Sequence, residues 1–349
     1  MAIFKNADIF GEIKDLKTEN GKITEIGRIK EDGIDLRGKT LIPGLIDIHT
    51  HGAVGVDTMD GENIKKISGY LAENGVTSWL PTTMTADMKD LRRVTDTIPD
   101  SGYARILGYH LEGPYISEAR KGAQNAVFIK DPDINGFETL KNIKMVTLAP
   151  ELPGSMGFIQ KSSALVSIGH TDCDYETAAE AIKNGAVCLT HTFNAMPALN
   201  HRSPGPIGAA IDKNIYIQVI CDGLHIHKSV IKMLYRTFGA DKMILISDSM
   251  RATGLCDGEY EFGGQVVNVA NGIARTKDGA LAGSTTNLLG CVKKAIEFGI
   301  PKKDAIKMAA ETPAKLLGLK KGQIKVGYDA EFALLDSKMN VISLLCPKN

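Results

Sequence analysis

Residues 45–51 read LIDIHTH, an apolar run that ends in two histidines. Seven later runs repeat this pattern, each apolar and rich in β-branched residues, and each ending in polar ones. They are VTSWLPTT (76–83), ILGYHLEG (106–113), MVTLAPE (145–151), ALVSIGHT (164–171), AVCLTHTF (186–193), YIQVICDG (216–223) and MILISDS (243–249). Near-continuous hydrophobicity is typical of strands that are buried on both faces, as in a parallel sheet.

The segments between these runs have helical patterns. NIKKISGYLAENG (63–75), DYETAAEAIKNG (174–185) and KSVIKMLYRTFG (228–239) place apolar residues at helical spacing and end in glycine. Eight strand-then-helix units favour a closed (β/α)₈ barrel over an open doubly wound sheet. The open sheet is further disfavoured because no GxGxxG follows the first strand.

Both ends of the chain differ from this middle part. Residues 1–42 are short β-like pieces with a turn signal at Asn20-Gly21, and residues 322–336 are β-like as well. We therefore predict a small β domain made from 1–42 and 319–349, and a barrel over 43–318. Within the barrel, residues 257–280 predict an inserted hairpin, and residues 284–318 predict further helices.

Composition excludes several classes of function. Lys+Arg and Asp+Glu are equal at 41 each, so net charge gives no reason to expect nucleic acid or an anionic membrane as a partner. No apolar run reaches the roughly 18 residues that span a bilayer, and MAIFKNADIF does not resemble a signal peptide. We therefore expect a cytoplasmic protein. The six cysteines form no CxxC pair, which argues against a zinc knuckle or a disulfide framework.

Polar residues collect where the predicted strands end, and barrel enzymes carry their chemistry at that end. Five of the eight histidines are found there, together with two carboxylates. These residues are His49, His51, Glu112, His170, His191, His225 and Asp248. Side chains two residues apart on a strand share a face, so His49 and His51 can both point toward the barrel axis.

Each of these residues alone has a structural alternative. A lone histidine at a strand end is more often hydrogen-bonded structure, Glu112 can cap a helix, and Asp248 can bind turn amides. Together they favour a divalent metal site, because imidazole and carboxylate ligands suit Zn²⁺ or Fe²⁺. The predicted ligands are His49, His51, Glu112, His170, His191 and Asp248. No lysine ends a strand, which argues against a carboxylated-lysine site.

Longer motifs carry a specific resemblance. The chain resembles the N-acetylglucosamine-6-phosphate deacetylase family of amidohydrolases, mainly over residues 40–290. HxH alone marks the wider superfamily, whereas HLEGP with HTFNAM and DGLH is much more specific. The matching blocks are PGLIDIHTHG (43–52), HLEGPY (110–115), GHT (169–171), HTFNAMPALNHRSPG (191–205), CDGLH (221–225), SDSMRATGL (247–255), LAGST (281–285), ETPAKLLGL (311–319) and VGYDAEFALLD (326–336).

The resemblance implies a role for each matching position. Glu112, His170 and His191 match the main metal ligands, and His49 and His51 match a second site that some members lack, so one or two ions are implied. Asp248 matches the catalytic acid and base, and His225 matches the residue that polarises the substrate carbonyl. The matching substrate contacts are Ala123, Gln124, Asn194, Ala195, Arg202 for the phosphate, and Ala282 and Gly283 in a closing loop.

The implied activity is removal of the N-acetyl group from a phosphorylated amino sugar by a homodimer, in which the neighbouring subunit helps to bind phosphate. Two departures stand out: Gln124 replaces the histidine that many members have in KGAQN (121–125), and the N-terminal β segment is shorter than usual. Three alternatives stay open: a deacetylase for the galactosamine epimer, another amidohydrolase acting on a small amide, and an inactive scaffold barrel.

Overall fold

The centre of the molecule is a parallel β-barrel. The computed structural model describes residues 1–346. Its barrel strands run parallel, and strands three to eight follow one another in chain order. They are Leu45–Thr50, Val76–Thr83, Tyr109–Glu112, Ile143–Leu148, Leu165–Ile168, Ala186–Leu189, Tyr216–Ile220 and Met243–Ile246. The barrel closes where the backbone N–H of Asp248 donates to the carbonyl of His49 at 2.9 Å, which confirms the predicted fold class.

The third predicted run is not one continuous strand. Arg105–Ile106 pairs with the second barrel strand, and the third barrel strand begins only at Tyr109. Gly108 separates them with φ of 135°, and a Cβ there would lie 2.7 Å from the carbonyl oxygen of Asn142. The chain therefore needs glycine at this break.

Helices cover the outside of the barrel. Their bounds are Lys65–Glu73, Met88–Thr95, Ile134–Phe137, Ser155–Lys161, Tyr175–Lys183, Gly205–Lys213, Lys228–Lys242, Leu288–Glu297, Lys302–Ala309 and Glu311–Leu316. Short 3₁₀ segments occupy Thr58–Ile64, Glu118–Arg120 and Ala126–Phe128. The helix predicted over 63–75 thus begins two residues late, after a 3₁₀ segment. The main core lies between helices and strands, around buried residues such as Trp79, Leu111 and Phe158.

The two chain ends form one sheet. Its strands are Ala2–Ile9, Glu12–Glu19, Lys22–Gly27, Ile34–Asp35, Thr40–Pro43, Phe332–Leu335 and Val341–Leu345. Thr40–Pro43 pairs antiparallel with Phe332–Leu335, which joins the ends, and the predicted turn at Asn20-Gly21 is confirmed. Residues 322–331, however, are not a strand. Residues 347–349 of the predicted C-terminal part lie outside the described residues, and the boundaries 1–42, 43–318 and 319–349 stay a prediction.

The predicted hairpin at 257–280 is a three-stranded sheet. Its strands are Gly258–Phe262, Gln265–Ala270 and Ile273–Arg275. The extra strand follows a second tight turn at Asn271-Gly272, where both residues have positive φ. This insertion packs Phe262 and Val267 with Met84 and Ala123, and so covers one side of the barrel mouth. Two further short strands, Gly52–Ala53 and Val56–Asp57, pair next to the mouth. Within residues 1–346, no helix is both long enough and apolar enough to cross a membrane.

Candidate metal centre

The barrel brings all six predicted metal ligands together at the C-terminal end of its strands. Glu112 lies in the middle: its Oε1 is 3.3 Å from His49 Nε2, 3.3 Å from His170 Nε2 and 3.2 Å from His191 Nε2. Its Oε2 is 3.2 Å from His51 Nε2. Two three-residue groups able to hold a cation result, and they share Glu112. They are His49–His51–Glu112 and Glu112–His170–His191.

Asp248 borders the first of these groups. Its Oδ1 is 3.3 Å from His51 Nε2 and 3.5 Å from His49 Nε2. The side chain is buried, with 7% of the residue exposed. A carboxylate at this position can serve as a ligand, or can exchange a proton with a molecule bound between the two groups.

Unusual backbone conformations direct three of these side chains toward the centre of the cluster. His170, His191 and Asp248 have φ of 47°, 26° and 48°, and each follows the last residue of its strand by two positions. Residues other than glycine rarely adopt this left-handed conformation, which tends to occur at functional sites. The predicted strands ran through these residues. The structure ends the strands earlier because the chain turns to direct the side chains inward.

Hydrogen bonds at Nδ1 fix the orientation of three imidazoles. His49 Nδ1 donates to Gln218 Oε1 at 2.9 Å, His51 Nδ1 to the carbonyl of Thr82 at 3.2 Å, and His170 Nδ1 to the carbonyl of Arg120 at 2.8 Å. Because carbonyl oxygens only accept, each Nδ1 carries the hydrogen, and the neutral ring then presents a bare Nε2 lone pair.

A divalent cation fits this set of donors. Bare Nε2 atoms of His49 and His51 would lie 3.3 Å apart, next to an ionised carboxylate, with only lone pairs facing one another. His170 and His191 approach similarly, at 3.0 Å between their Nε2 atoms. Such an arrangement needs a positive charge in its centre. Mixed imidazole and carboxylate ligands are those that Zn²⁺ and Fe²⁺ accept.

Protons are the competing positive charge. Burial lowers the pKa of His51, but the carboxylates of Asp248 and Glu112 outweigh it and raise the pKa to about 10. Burial favours the neutral form of Asp248, yet His49 and His51 outweigh it and lower its pKa to about 2. Cation binding must therefore displace protons from this cluster, so affinity for a divalent metal should fall as the pH falls.

The remaining histidines have other surroundings. His110 is fully buried beneath the cluster, with Nδ1 3.0 Å from the carbonyl of Ile48 and Nε2 2.7 Å from Thr147 Oγ1. His227 caps the helix Lys228–Lys242 through Ser229 N, and His201 is exposed. His225 donates from Nδ1 to Asp222 Oδ2 at 2.7 Å. Asp222 also accepts the backbone N–H of His225 and therefore holds the ring in place.

Most predicted substrate contacts lie in loops tied to the centre. The side chain of Asn194 donates to the carbonyl of His191 at 3.1 Å, and Thr171 N donates to the carbonyl of Ala195. Ala282 is buried, and Gly283 precedes Ser284, whose N–H donates to the carbonyl of Asp248 at 2.7 Å. Arg202, in contrast, is exposed, and no side-chain hydrogen bond or ion pair within residues 1–346 connects it to the cluster.

Gln124 and Ala123 lie beside the centre. Both polar atoms of the Gln124 amide are engaged, with Thr85 N and with Glu112 Oε2, and the carbonyl of Ala123 accepts from Gln265 Nε2.

Sequence reasoning did not identify two residues that support the site. Gln218, the partner of His49, is a buried polar residue inside the apolar run YIQVI. A polar residue within an apolar strand was the sequence signal that could have identified it. Phe262 packs its ring edge-on against His51, with centroids 5.3 Å apart. Its position in a predicted insertion gave no such signal.

Comparison with known proteins identifies the family of the chain. The model of the amidohydrolase family matches residues 40–347, and the chain belongs to that family. Within the family, the chain is 37% identical to the N-acetylglucosamine-6-phosphate deacetylase of Lysinibacillus sphaericus, over 96% of this chain and 92% of that protein. It is 39% identical to the enzyme of that name from Bacillus subtilis, over 88% and 84%.

A solved structure is similar over nearly the whole chain. It is an aspartate-to-alanine variant of the N-acetyl-D-glucosamine-6-phosphate deacetylase of Mycobacterium smegmatis, in complex with N-acetyl-D-glucosamine-6-phosphate. The TM-score is 0.92 at 27% identity, covering 99% of this chain and 97% of that one. The resemblance found in the sequence motifs is thereby confirmed.

Replacing His191 with Ala should remove bound metal, because its Nε2 lies within 3.2 Å of Glu112 Oε1 and 3.0 Å of His170 Nε2. Elemental analysis of the purified protein measures the effect. The exposed His201→Ala variant is the matched control and should keep its metal. Full metal content in the His191 variant would contradict the assignment of this cluster.

Proposed function

We propose that this protein hydrolyses the N-acetyl group of N-acetylglucosamine 6-phosphate, giving glucosamine 6-phosphate and acetate. The observation that carries the proposal is the pair of buried ligand groups sharing Glu112, with Asp248 beside them. Identities of 37% and 39% to enzymes with this name support the choice of substrate.

Glu112, His170 and His191 would hold the main cation, and His49, His51 and Glu112, with Asp248 at their border, a second one. Zn²⁺ or Fe²⁺ is the proposed metal, with one or two ions in each subunit. A divalent cation supplies Lewis acidity, which polarises a carbonyl and lowers the pKa of water from about 15.7 to about 7.

Two residues of the chain handle charge and protons. Asp248 takes a proton from the attacking water, whose oxygen forms a bond to the acetyl carbonyl carbon. His225 donates a hydrogen bond from Nε2 to the carbonyl oxygen as negative charge develops there. When the carbon–nitrogen bond breaks, Asp248 returns its proton to the departing amine. Acetate and the free amino sugar are the products.

The phosphate is the proposed determinant of substrate choice. Arg202 presents a planar guanidinium that suits phosphate oxygens, on the loop after the sixth barrel strand. Asn194 and Ala195 on the same loop, together with Ala123, Ala282 and Gly283, would contact the sugar.

We also propose a cytoplasmic homodimer in which the neighbouring subunit helps to bind phosphate. The exposed position of Arg202 supports that arrangement, and so do Leu199 and Leu224, which are 36% and 51% exposed on the loops after strands six and seven.

Acetate release decides between the candidate functions. N-acetylglucosamine 6-phosphate, its galactosamine epimer and unphosphorylated N-acetylglucosamine should be compared with the same enzyme preparation. The proposal expects the first to be cleaved with the highest kcat/KM. Preference for the epimer would change the substrate, and no acetate from any of the three would indicate another amide or an inactive barrel.

Arg202→Ala should mainly weaken the use of the phosphorylated sugar. A charge-assisted contact of this kind contributes about 1.5–3 kcal/mol, equivalent to roughly 10- to 150-fold in kcat/KM. The unphosphorylated sugar is the control substrate and should be cleaved equally by both proteins. Equal use of the two sugars by the wild type would show that Arg202 has another role.

Asp248→Asn should keep the fold and the substrate affinity while turnover falls about 10²- to 10⁴-fold, because Asn has nearly the same shape but cannot carry the proton. The variant is assayed for kcat and analysed for metal, since Asp248 borders the second group of ligands. Near-normal turnover across the pH range would exclude Asp248 as the proton carrier.

Asp222→Asn should remove the alkaline limb that His225 gives to the kcat/KM profile. Burial lowers the pKa of His225, but the carboxylate of Asp222 outweighs it, with help from Asp248, and raises the pKa. Because Nδ1 donates to Asp222, Nε2 carries a hydrogen only while the ring is protonated. In the variant, the Asn oxygen accepts the backbone N–H groups of Leu224 and His225, so its NH₂ group faces Nδ1. The neutral ring then carries its hydrogen on Nε2, and the donor no longer depends on protonation of the ring. An alkaline limb that stays unchanged would separate His225 from the chemistry.

A further inference from the structure

Gln124 lies buried between Glu112 and the backbone of Thr85. Only 2% of Gln124 is exposed to solvent. Its Oε1 accepts the N–H of Thr85 at 2.7 Å, and its Nε2 donates to Oε2 of Glu112. The side chain therefore connects a metal ligand to the backbone just beyond the second barrel strand.

The chemistry of the two partners allows only one orientation of this amide. A backbone N–H can only donate, so the oxygen of Gln124 must face Thr85. An ionised carboxylate can only accept, so the NH₂ group must face Glu112. Both ends of Gln124 are matched in this orientation, and neither is matched if the amide is flipped.

Gln124 contacts one particular oxygen of Glu112. Oε1 lies 3.2–3.3 Å from the Nε2 atoms of His49, His170 and His191, whereas Oε2 lies 3.2 Å from Nε2 of His51. Gln124 donates to Oε2 and so contacts the half of the carboxylate that faces His51 of the His49–His51–Glu112 group. A neutral donor holds this oxygen in place without cancelling its charge, as an ammonium group would.

A separate contact holds the loop that carries Gln124. Gln265 of the inserted sheet donates from Nε2 to the carbonyl of Ala123 at 2.8 Å. Gln265 thus holds the loop without touching Glu112. A variant at Gln265 can therefore serve as a control, because it disturbs the loop but leaves the contact between Gln124 and Glu112 intact.

We propose that Gln124 is a positioning residue that holds Glu112 Oε2 for a divalent cation at the His49–His51–Glu112 group. The amide N–H fixes the rotation of the carboxylate, so that Oε1 remains with His170 and His191 while Oε2 remains with His51. This inference rests on the proposed function in one respect, because both require that the centre binds divalent cations.

The test is a Co²⁺ titration of the metal-free protein, followed by visible absorption and calorimetry. The wild type should bind two equivalents. In Gln124→Met, the second equivalent should bind about 10- to 100-fold more weakly, the usual effect of losing an outer partner of a ligand, while the first is largely kept. Circular dichroism and a thermal melt establish that the variant is folded.

Two further variants make the result specific. Gln265→Met should bind both equivalents like the wild type, because it loosens the loop without touching the carboxylate. Gln124→His should retain the second equivalent, because imidazole offers one N–H donor and one acceptor, as the amide does. The inference is wrong if Gln124→Met binds both equivalents normally, if Gln265→Met loses the second one equally, or if His and Met at position 124 behave alike.

Co²⁺ binding and acetate release by the wild-type protein together distinguish failure of this inference from failure of the proposed function. If it binds a single Co²⁺ and still releases acetate, the inference about Gln124 is wrong and the proposed function stands. If it binds no Co²⁺, both are wrong. If it binds two and releases no acetate from any sugar, only the proposed function is wrong.

Discussion

Four imidazole nitrogens converge on the single carboxylate of Glu112, at 3.2–3.3 Å from its two oxygens. In a buried site this arrangement is stable only if a positive charge is shared among the groups, because lone pairs alone repel one another. The charge can be a set of protons or a divalent cation. Many of the surrounding contacts hold these rings at positions where their nitrogens could bind a cation.

The barrel provides this rigidity from distant parts of the chain. His49 is anchored by Gln218 on the seventh strand, and His51 by the carbonyl of Thr82 on the second. Parallel strands bring all their C-terminal ends to one face, so ligands that are far apart in sequence become neighbours. Closure between Asp248 N and the His49 carbonyl completes the ring and places Asp248, the proposed proton carrier, beside the first group.

The sequence predicted the barrel and the ligand cluster because both depend on local patterns: buried apolar runs, period two within HxH, and polar residues at strand ends. Other features depend on distant or backbone-level constraints. Nothing local requires the left-handed backbone at His170 and His191, and the break at Gly108 reflects the approach of Asn142. The amide contact between Gln124 and Glu112 depends on how a loop folds back over the barrel, which periodicity does not encode.

Two kinds of carboxylate–imidazole contact in the centre differ in which ring nitrogen faces the acid. Asp222 engages Nδ1 of His225 and raises its pKa, so the ring keeps a hydrogen on Nε2 and can act as a donor. Asp248 and Glu112 instead face Nε2 of His51, whose Nδ1 is already committed to a carbonyl. There a proton on Nε2 competes with a cation. The same pair of residue types can therefore form a proposed hydrogen-bond donor at one place and a candidate metal ligand at the other, and the Nδ1 partner decides which.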